Sequence, residues 1–149
     1  MQLSLHADYA LRVLIYLGTE PQRIVPTHDI SEAYGISKHH LVRVVQTLAG
    51  SGFVTIHAGR SGGLSLAKQP RHIRLGEVVR RAEPNLKLVE CFDRETNTCP
   101  IARACELKGM LTEALDAFIA TLDRYTLADV VGPARQSVLI ELLSIQPAR

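Results

Sequence analysis

Residues 35–67 read GISKHHLVRVVQTLAGSGFVTIHAGRSGGLSLA, and the fold turns on how this stretch is parsed. Gly35 is suited to end one helix, and Ser37 is placed to cap the next. From Lys38 to Ala49 the apolar residues are Leu41, Val44, Val45 and Leu48, the i, i+3, i+4, i+7 spacing of one buried helical face. Gly50-Ser51-Gly52 stops that helix. Phe53 to His57 alternates as a strand does, Gly59-Arg60-Ser61-Gly62-Gly63 is a turn, and Leu64-Ser65-Leu66-Ala67 returns as a second strand.

Upstream, Leu5 to Thr19 carries Ala7, Ala10, Leu11, Leu14 and Ile15 at helical spacing and stops before Pro21. A short second helix runs from His28 to Tyr34, opened by Pro26 or Thr27. Helix, helix, three-residue turn, helix and Gly-tipped hairpin is the order of a winged helix-turn-helix. In that fold the third helix enters the major groove with its N-terminal residues against base edges. Here these are Ser37, Lys38, His39 and His40, with Arg43 and Gln46 further along, all off the apolar face. Arg60 and Ser61 sit at the hairpin tip, where Arg60 can reach phosphates or a narrow minor groove.

Charge supports a polyanionic partner. Residues 1–74 carry +4 and residues 75–149 carry −2, and no acidic residue lies between Glu32 and Glu77. Double-stranded DNA is the expected partner, since phosphate contacts supply most of the non-specific affinity. No apolar run reaches the roughly 20 residues of a membrane helix. The N-terminus lacks the basic segment of a signal peptide, so a cytoplasmic protein without membrane contact is expected. No nucleophile with its base, phosphate loop or paired-carboxylate site is present, and an enzyme is not expected.

Downstream, a short helix is expected from Gly76 to Ala82, then a loop over residues 91–105 holding all three cysteines. Pro100 suits the start of a helical turn capped by Cys99. A long helix follows from about Cys105 to Arg124. Its apolar stripe of Leu107, Leu111, Ala114, Phe118 and Leu122 is widened by Met110, Leu115 and Ile119. So wide a stripe suits a partner helix from a second copy. A two-fold homodimer would then present two reading helices roughly 34 Å apart to an inverted repeat. Thr126-Leu127-Ala128-Asp129 has the form of a capping box. A last apolar segment covers Val138 to Ile145. The expected fold class is mainly α with a small β-hairpin wing. It comprises a winged helix-turn-helix over residues 1–75, a linking helix and cysteine loop over 76–106, and a long dimerisation helix with the C-terminal segment over 107–149.

The cysteine spacing, Cys91-x7-Cys99-x5-Cys105, is neither a CxxC nor a zinc-finger pattern. Its intervals are long enough to wrap a cluster, and thiolates suit iron–sulfur clusters and zinc alike. Four ligands are usual, so a fourth must come from elsewhere. Asp8, Glu90, Asp93, Glu95, Glu106, His6 and a small exogenous ligand are all candidates by chemistry.

Both halves resemble one family, the winged-helix iron–sulfur regulators that include IscR and RirA, and within it the nitric-oxide-sensing NsrR type. The resemblance runs from Met1 to about Val131. It is carried by Asp8-Tyr9-Ala10-Leu11-Arg12-Val13-Leu14-Ile15-Tyr16, Tyr34-Gly35-Ile36-Ser37-Lys38, Gly59-Arg60-Ser61-Gly62-Gly63-Leu64, Leu88-Val89-Glu90-Cys91 and Tyr125-Thr126-Leu127-Ala128-Asp129. It implies a repressor whose [4Fe–4S] cluster is held by Cys91, Cys99 and Cys105 and completed by Asp8 of the partner subunit. Nitric oxide would be the signal. A [2Fe–2S] cluster, and then zinc, are the alternative occupants. Arg12, one turn after Asp8, is a candidate to couple the halves by pairing with Asp129, whose other reading is a capping role. The seven-residue Cys91–Cys99 interval and the Glu90-Cys91-Phe92 context look more like RirA, so iron or cluster-status sensing is the alternative function.

Overall fold

Ser4 opens helix α1 (Leu5–Thr19): its hydroxyl accepts the Ala7 N–H at 3.1 Å, satisfying a donor the helix itself cannot. Ala7, Ala10, Val13, Leu14 and Leu17 line its inner face and are almost fully buried. The structure, a computed structural model, describes residues 2–59 and 62–145. Helix α2 (Thr27–Tyr34) ends at Gly35, whose φ of 63° is the left-handed conformation that glycine adopts without steric cost. Ile36 then drops into the core, and the Ser37 hydroxyl caps helix α3 (Lys38–Gly50) by accepting the His40 N–H. The four apolar residues expected on the inner face of α3 are its buried residues.

The wing is an antiparallel pair, β1 (Val54–His57) and β2 (Gly63–Leu66), in a register pairing Val54 with Leu66 and His57 with Gly63. A third piece of chain joins it. Val25 and Leu64 exchange both backbone hydrogen bonds at 2.8 Å, tying the α1–α2 loop to the wing. Phe53, wholly buried, anchors the base of the hairpin, with the Lys68 ammonium 5.1 Å from its ring centre.

Helix α4 (Leu75–Ala82) turns Val78, Val79 and Ala82 inward, where it packs on α1 and α3. A long excursion follows and returns in helix α5 (Leu107–Asp123). Its two ends are stapled together: Leu75 N–H donates to the Tyr125 carbonyl at 3.0 Å and Leu127 N–H to the Ile73 carbonyl at 2.8 Å. Helix α6 (Leu127–Val131) begins with the expected capping box, Thr126 and Asp129 satisfying one another's orphan groups. Its Leu127 and Val131 side chains pack over Gly18 of α1. Helix α7 (Pro133–Leu142) continues from it and is tied back to α1 by a hydrogen bond from the Gln136 side chain to the Thr19 carbonyl.

The expected class, mainly α with a hairpin wing, is the one observed. Three details differ. α5 starts at Leu107, two residues later than the sequence suggests, because Glu106 offers no side-chain cap to extend it. Residues 100–104 are successive turns, closed by Ala102 N–H to the Cys99 carbonyl and Ala104 N–H to the Ile101 carbonyl, not a regular helical turn. The segment grouped with α5 in the sequence does not stay with it: Leu127, Val131 and Ile145 are buried in the same core as α1. Among the described residues no helix is long and apolar enough to cross a membrane.

Candidate functional site

Two sets of side chains stand out. The first is the outer face of α3. Ser37, Lys38, His39, His40, Arg43 and Gln46 are all exposed, and α3 has no acid in its first turn. Val42, which periodicity alone does not mark, joins them at 49% exposure between two basic positions. An aliphatic group there suits a thymine methyl, the apolar feature of the major groove. Arg60 and Ser61, expected at the wing tip, lie outside the described residues. The flanking Gly59 and Gly62 are closed by Gly62 N–H to the Gly59 carbonyl at 3.0 Å.

Behind α3 stands the start of α1. His6 Nε2 lies 3.0 Å from Thr47 Oγ1, and the Tyr9 and His40 rings are 6.3 Å apart. Between them on the sequence is Asp8, half-buried and paired with Arg12 at 2.9 Å. The Arg12 guanidinium also lies 5.9 Å from the Tyr9 ring centre and 5.8 Å from that of Tyr34. Burial pushes the Tyr34 hydroxyl pKa up to about 12, against the lowering influence of Arg12.

Of the two readings of Asp129, a partner for Arg12 or a cap, the single chain has the cap. Arg12 pairs with Asp8, one helical turn away and on the same face. Asp129 Oδ2 instead accepts the Thr126 N–H at 2.7 Å and the Thr126 hydroxyl at 2.8 Å. Those two bonds, the backbone one first, hold its carboxyl below the usual aspartate range.

The second set is the cysteine loop. Cys91 lies in a 3-10 turn (Glu90–Phe92), Cys99 among the turns near Pro100, and Cys105 just ahead of α5. All three are half-buried free thiols. The loop between them is braced by side chains. Glu90 accepts the Thr98 N–H at 2.6 Å and the Thr98 hydroxyl at 2.7 Å, closing the interval between Cys91 and Cys99. Asn97 Oδ1 accepts the Cys99 N–H, and Asp93 takes the Glu95 N–H and the Lys87 ammonium. The Lys87 hydrogen bond, with the Glu95 N–H next, draws the Asp93 pKa down to about 2.

These braces bear on the missing fourth ligand. Among the described residues no three His, Cys, Asp or Glu side chains converge as a single metal ion requires. Three thiols are donors that iron–sulfur clusters and zinc both accept. Glu90 and Asp93, the carboxylates flanking Cys91 most closely, are already engaged within the loop, and His6 is engaged with Thr47. Glu95 and Glu106 are exposed.

Helix α5 rises from this loop with one buried residue, Ile119. Leu107 and Met110 are 57% and 60% exposed, and Leu111, Leu115 and Phe118 line an open apolar cleft with Leu3, Leu86 and Val89. Apolar faces this wide are uncommon on the surface of a monomer.

Residues 3–133 match the family model Rrf2, described as an iron-dependent transcriptional regulator. The HTH-type transcriptional regulator NsrR of Shouchella clausii (strain KSM-K16) is 46% identical over 132 residues, covering 88% of this chain and 89% of that one. The regulator of the same name from Halalkalibacterium halodurans is 42% identical over 148 residues, covering 99% and 100%. Among solved structures, IscR from T. potens superposes with a TM-score of 0.72 at 24% identity, over 92% of this chain and 90% of that chain, a likeness of fold.

Proposed function

The chain belongs to the Rrf2 family of transcriptional regulators, and from that premise we propose that it is a dimeric repressor that senses nitric oxide through a [4Fe–4S] cluster. The observation that carries the proposal is the 42–46% identity, over most of the chain, to regulators named NsrR. The donor set fits: three soft thiols on one braced loop, with the adjacent carboxylates Glu90 and Asp93 already in use. The loop leaves the fourth donor open, with Glu95 and Glu106 exposed, and it is the resemblance to NsrR-type regulators that leads us to assign it to Asp8 of the partner subunit. When bound, the cluster supplies iron that nitric oxide attacks.

The chain's own residues do the rest. Cys91, Cys99 and Cys105 hold as thiolates. Asp8 would offer a harder, more exchangeable oxygen, and one of its two carboxylate oxygens pairs with Arg12 in the single chain. His6 and Tyr9, either side of Asp8, touch Thr47 and His40 of α3, so a shift of this turn reaches the base-reading face directly. On an inverted-repeat operator, Lys38, His39, His40, Arg43 and Gln46 meet bases and phosphates, Ser37 sets the helix entry, and Arg60 and Ser61 contact the backbone from the wing.

The test is anaerobic. Purified protein should carry a straw-brown chromophore that nitric oxide bleaches, with release of operator DNA in the same titration. Arg43→Ala should weaken operator binding by about 1–3 kcal/mol and flatten its salt dependence. A colourless protein holding one zinc, with DNA binding indifferent to nitric oxide, would sink the reading. The family's description as iron-dependent and the seven-residue Cys91–Cys99 interval favour a second reading, an iron-responsive regulator like RirA. An iron chelator that releases DNA where nitric oxide does not would select it.

A further inference from the structure

Helix α4 packs against helix α5, and one polar contact between them is two-pronged. The Arg80 guanidinium grips the Asp123 carboxylate with both terminal nitrogens, each at 2.8 Å. One turn earlier on α4 is Gly76, fully packed: a Cβ on it would lie 2.3 Å from Asp123 Oδ1 and 3.0 Å from the Asp123 backbone nitrogen. Only glycine lets α5 come this close. A two-pronged arginine–carboxylate contact fixes orientation as well as distance. Beside it, the bond from Leu75 N–H to the Tyr125 carbonyl pins the end of α5 to the start of α4.

On its other side α4 is part of the DNA-reading unit. Val78 and Ala82 share one core with Val13, Leu14, Val44 and Leu48. The path from the reading helix to α4 is therefore tightly packed, and Gly76, Arg80 and Asp123 form part of the contact that carries it on to α5. α5 has 17 residues, a rod of about 25 Å. Its far end carries the exposed apolar residues Leu107 and Met110.

We infer that the Arg80–Asp123 fork, seated on Gly76, determines the half-site spacing that the protein accepts in its operator. The inference rests on the dimer proposed above, with α5 as its axis. Pivoting a rod of about 25 Å by about 8° moves its end by about 3.5 Å, one step of a duplex that repeats every 10–10.5 base pairs in 34–36 Å. Holding that angle is what selects one spacer length over its neighbours. The fork belongs to neither the base-reading face nor the cysteine loop, so it governs spacing without touching a base.

The experiment uses the full-length protein, purified anaerobically, and inverted repeats selected by the parent from a randomised duplex pool. The spacer of the preferred repeat is then shortened or lengthened by one base pair. The parent should lose about tenfold or more in affinity for each altered spacer, the size of a 1.4 kcal/mol misfit. Arg80→Ala and Asp123→Ala should bring the three spacers within about threefold of one another, while affinity for a single half-site stays at the parent's value. The charge-exchanged protein, Arg80→Asp with Asp123→Arg, should regain the parent's discrimination. Single-half-site binding also guards against a variant that has merely unfolded. Variants that keep the parent's spacing profile overturn the inference and leave the dimer reading standing. A parent that sediments as a monomer and ignores the second half-site removes both.

Discussion

The winged unit and the cysteine loop are held together by opposite means. Around α1, α3 and the hairpin, stability comes from side chains removed from water: Leu14, Leu41, Leu48, Phe53 and Leu64 are each no more than 1% exposed. From Leu86 to Met110 no residue is fully buried, and order comes from hydrogen bonds made by Glu90, Asp93 and Asn97. Burial of a single large apolar side chain is worth roughly 1.5–3 kcal/mol, whereas exposed polar contacts contribute little to global stability. The first region, with the parts of α4, α6 and α7 that share its core, is therefore the strongly held one. The second is shaped but weakly held, as suits a segment that gains stability from whatever it binds and yields when that is removed.

The contrast can be broken at its strong end by Phe53→Ala. Emptying that site should cost about 3–5 kcal/mol, read as a lower urea midpoint of the whole chain. A loss below about 1 kcal/mol would mean that the hairpin base is not part of the cooperative core. An intermediate effect belongs to the joint between the regions. Thr126→Ala removes the N-cap of α6 and should cost about 1 kcal/mol in the same measurement. The weak end is probed by Glu90→Gln. The unfolding midpoint should stay where it is, while amide exchange at Thr98 speeds up severalfold. If the midpoint fell with the loop, the two regions would be one cooperative unit and the comparison would fail.

Much of this was legible in the chain. The apolar spacing of α1 and α3, Gly35 and Ser37 between α2 and α3, and the alternating hairpin are local signals, because each reports one face buried over a few consecutive residues. Thr126 and Asp129 announced their cap for the same reason. The pairing of Val25 with Leu64 and the ladder between residues 73–75 and 125–127 were not legible, since a contact of two or three residues leaves no period in the sequence. The choice of Arg12 for Asp8 over Asp129 was a local competition that an i, i+4 rule would have settled. At the candidate site, number and spacing single out the three cysteines, which the structure places on one braced loop. The closure of Glu90 on Thr98 was not legible, because its eight-residue span follows no turn rule.

The ladder joining Leu75 to Tyr125 and Ile73 to Leu127 has a consequence for how such a protein can be rebuilt. Chain passes this ladder into α4, which packs in the core, and comes back to it at the end of α5, so the excursion beyond α4 is closed by neighbouring residues. An insert bounded in this way can be exchanged for another of different length or chemistry without rethreading the core. Sensor modules with other ligand sets, grafted between the end of α4 and Asp123, would inherit the same DNA reader, because Val78 and Ala82 stay in its core and Arg80 still meets Asp123.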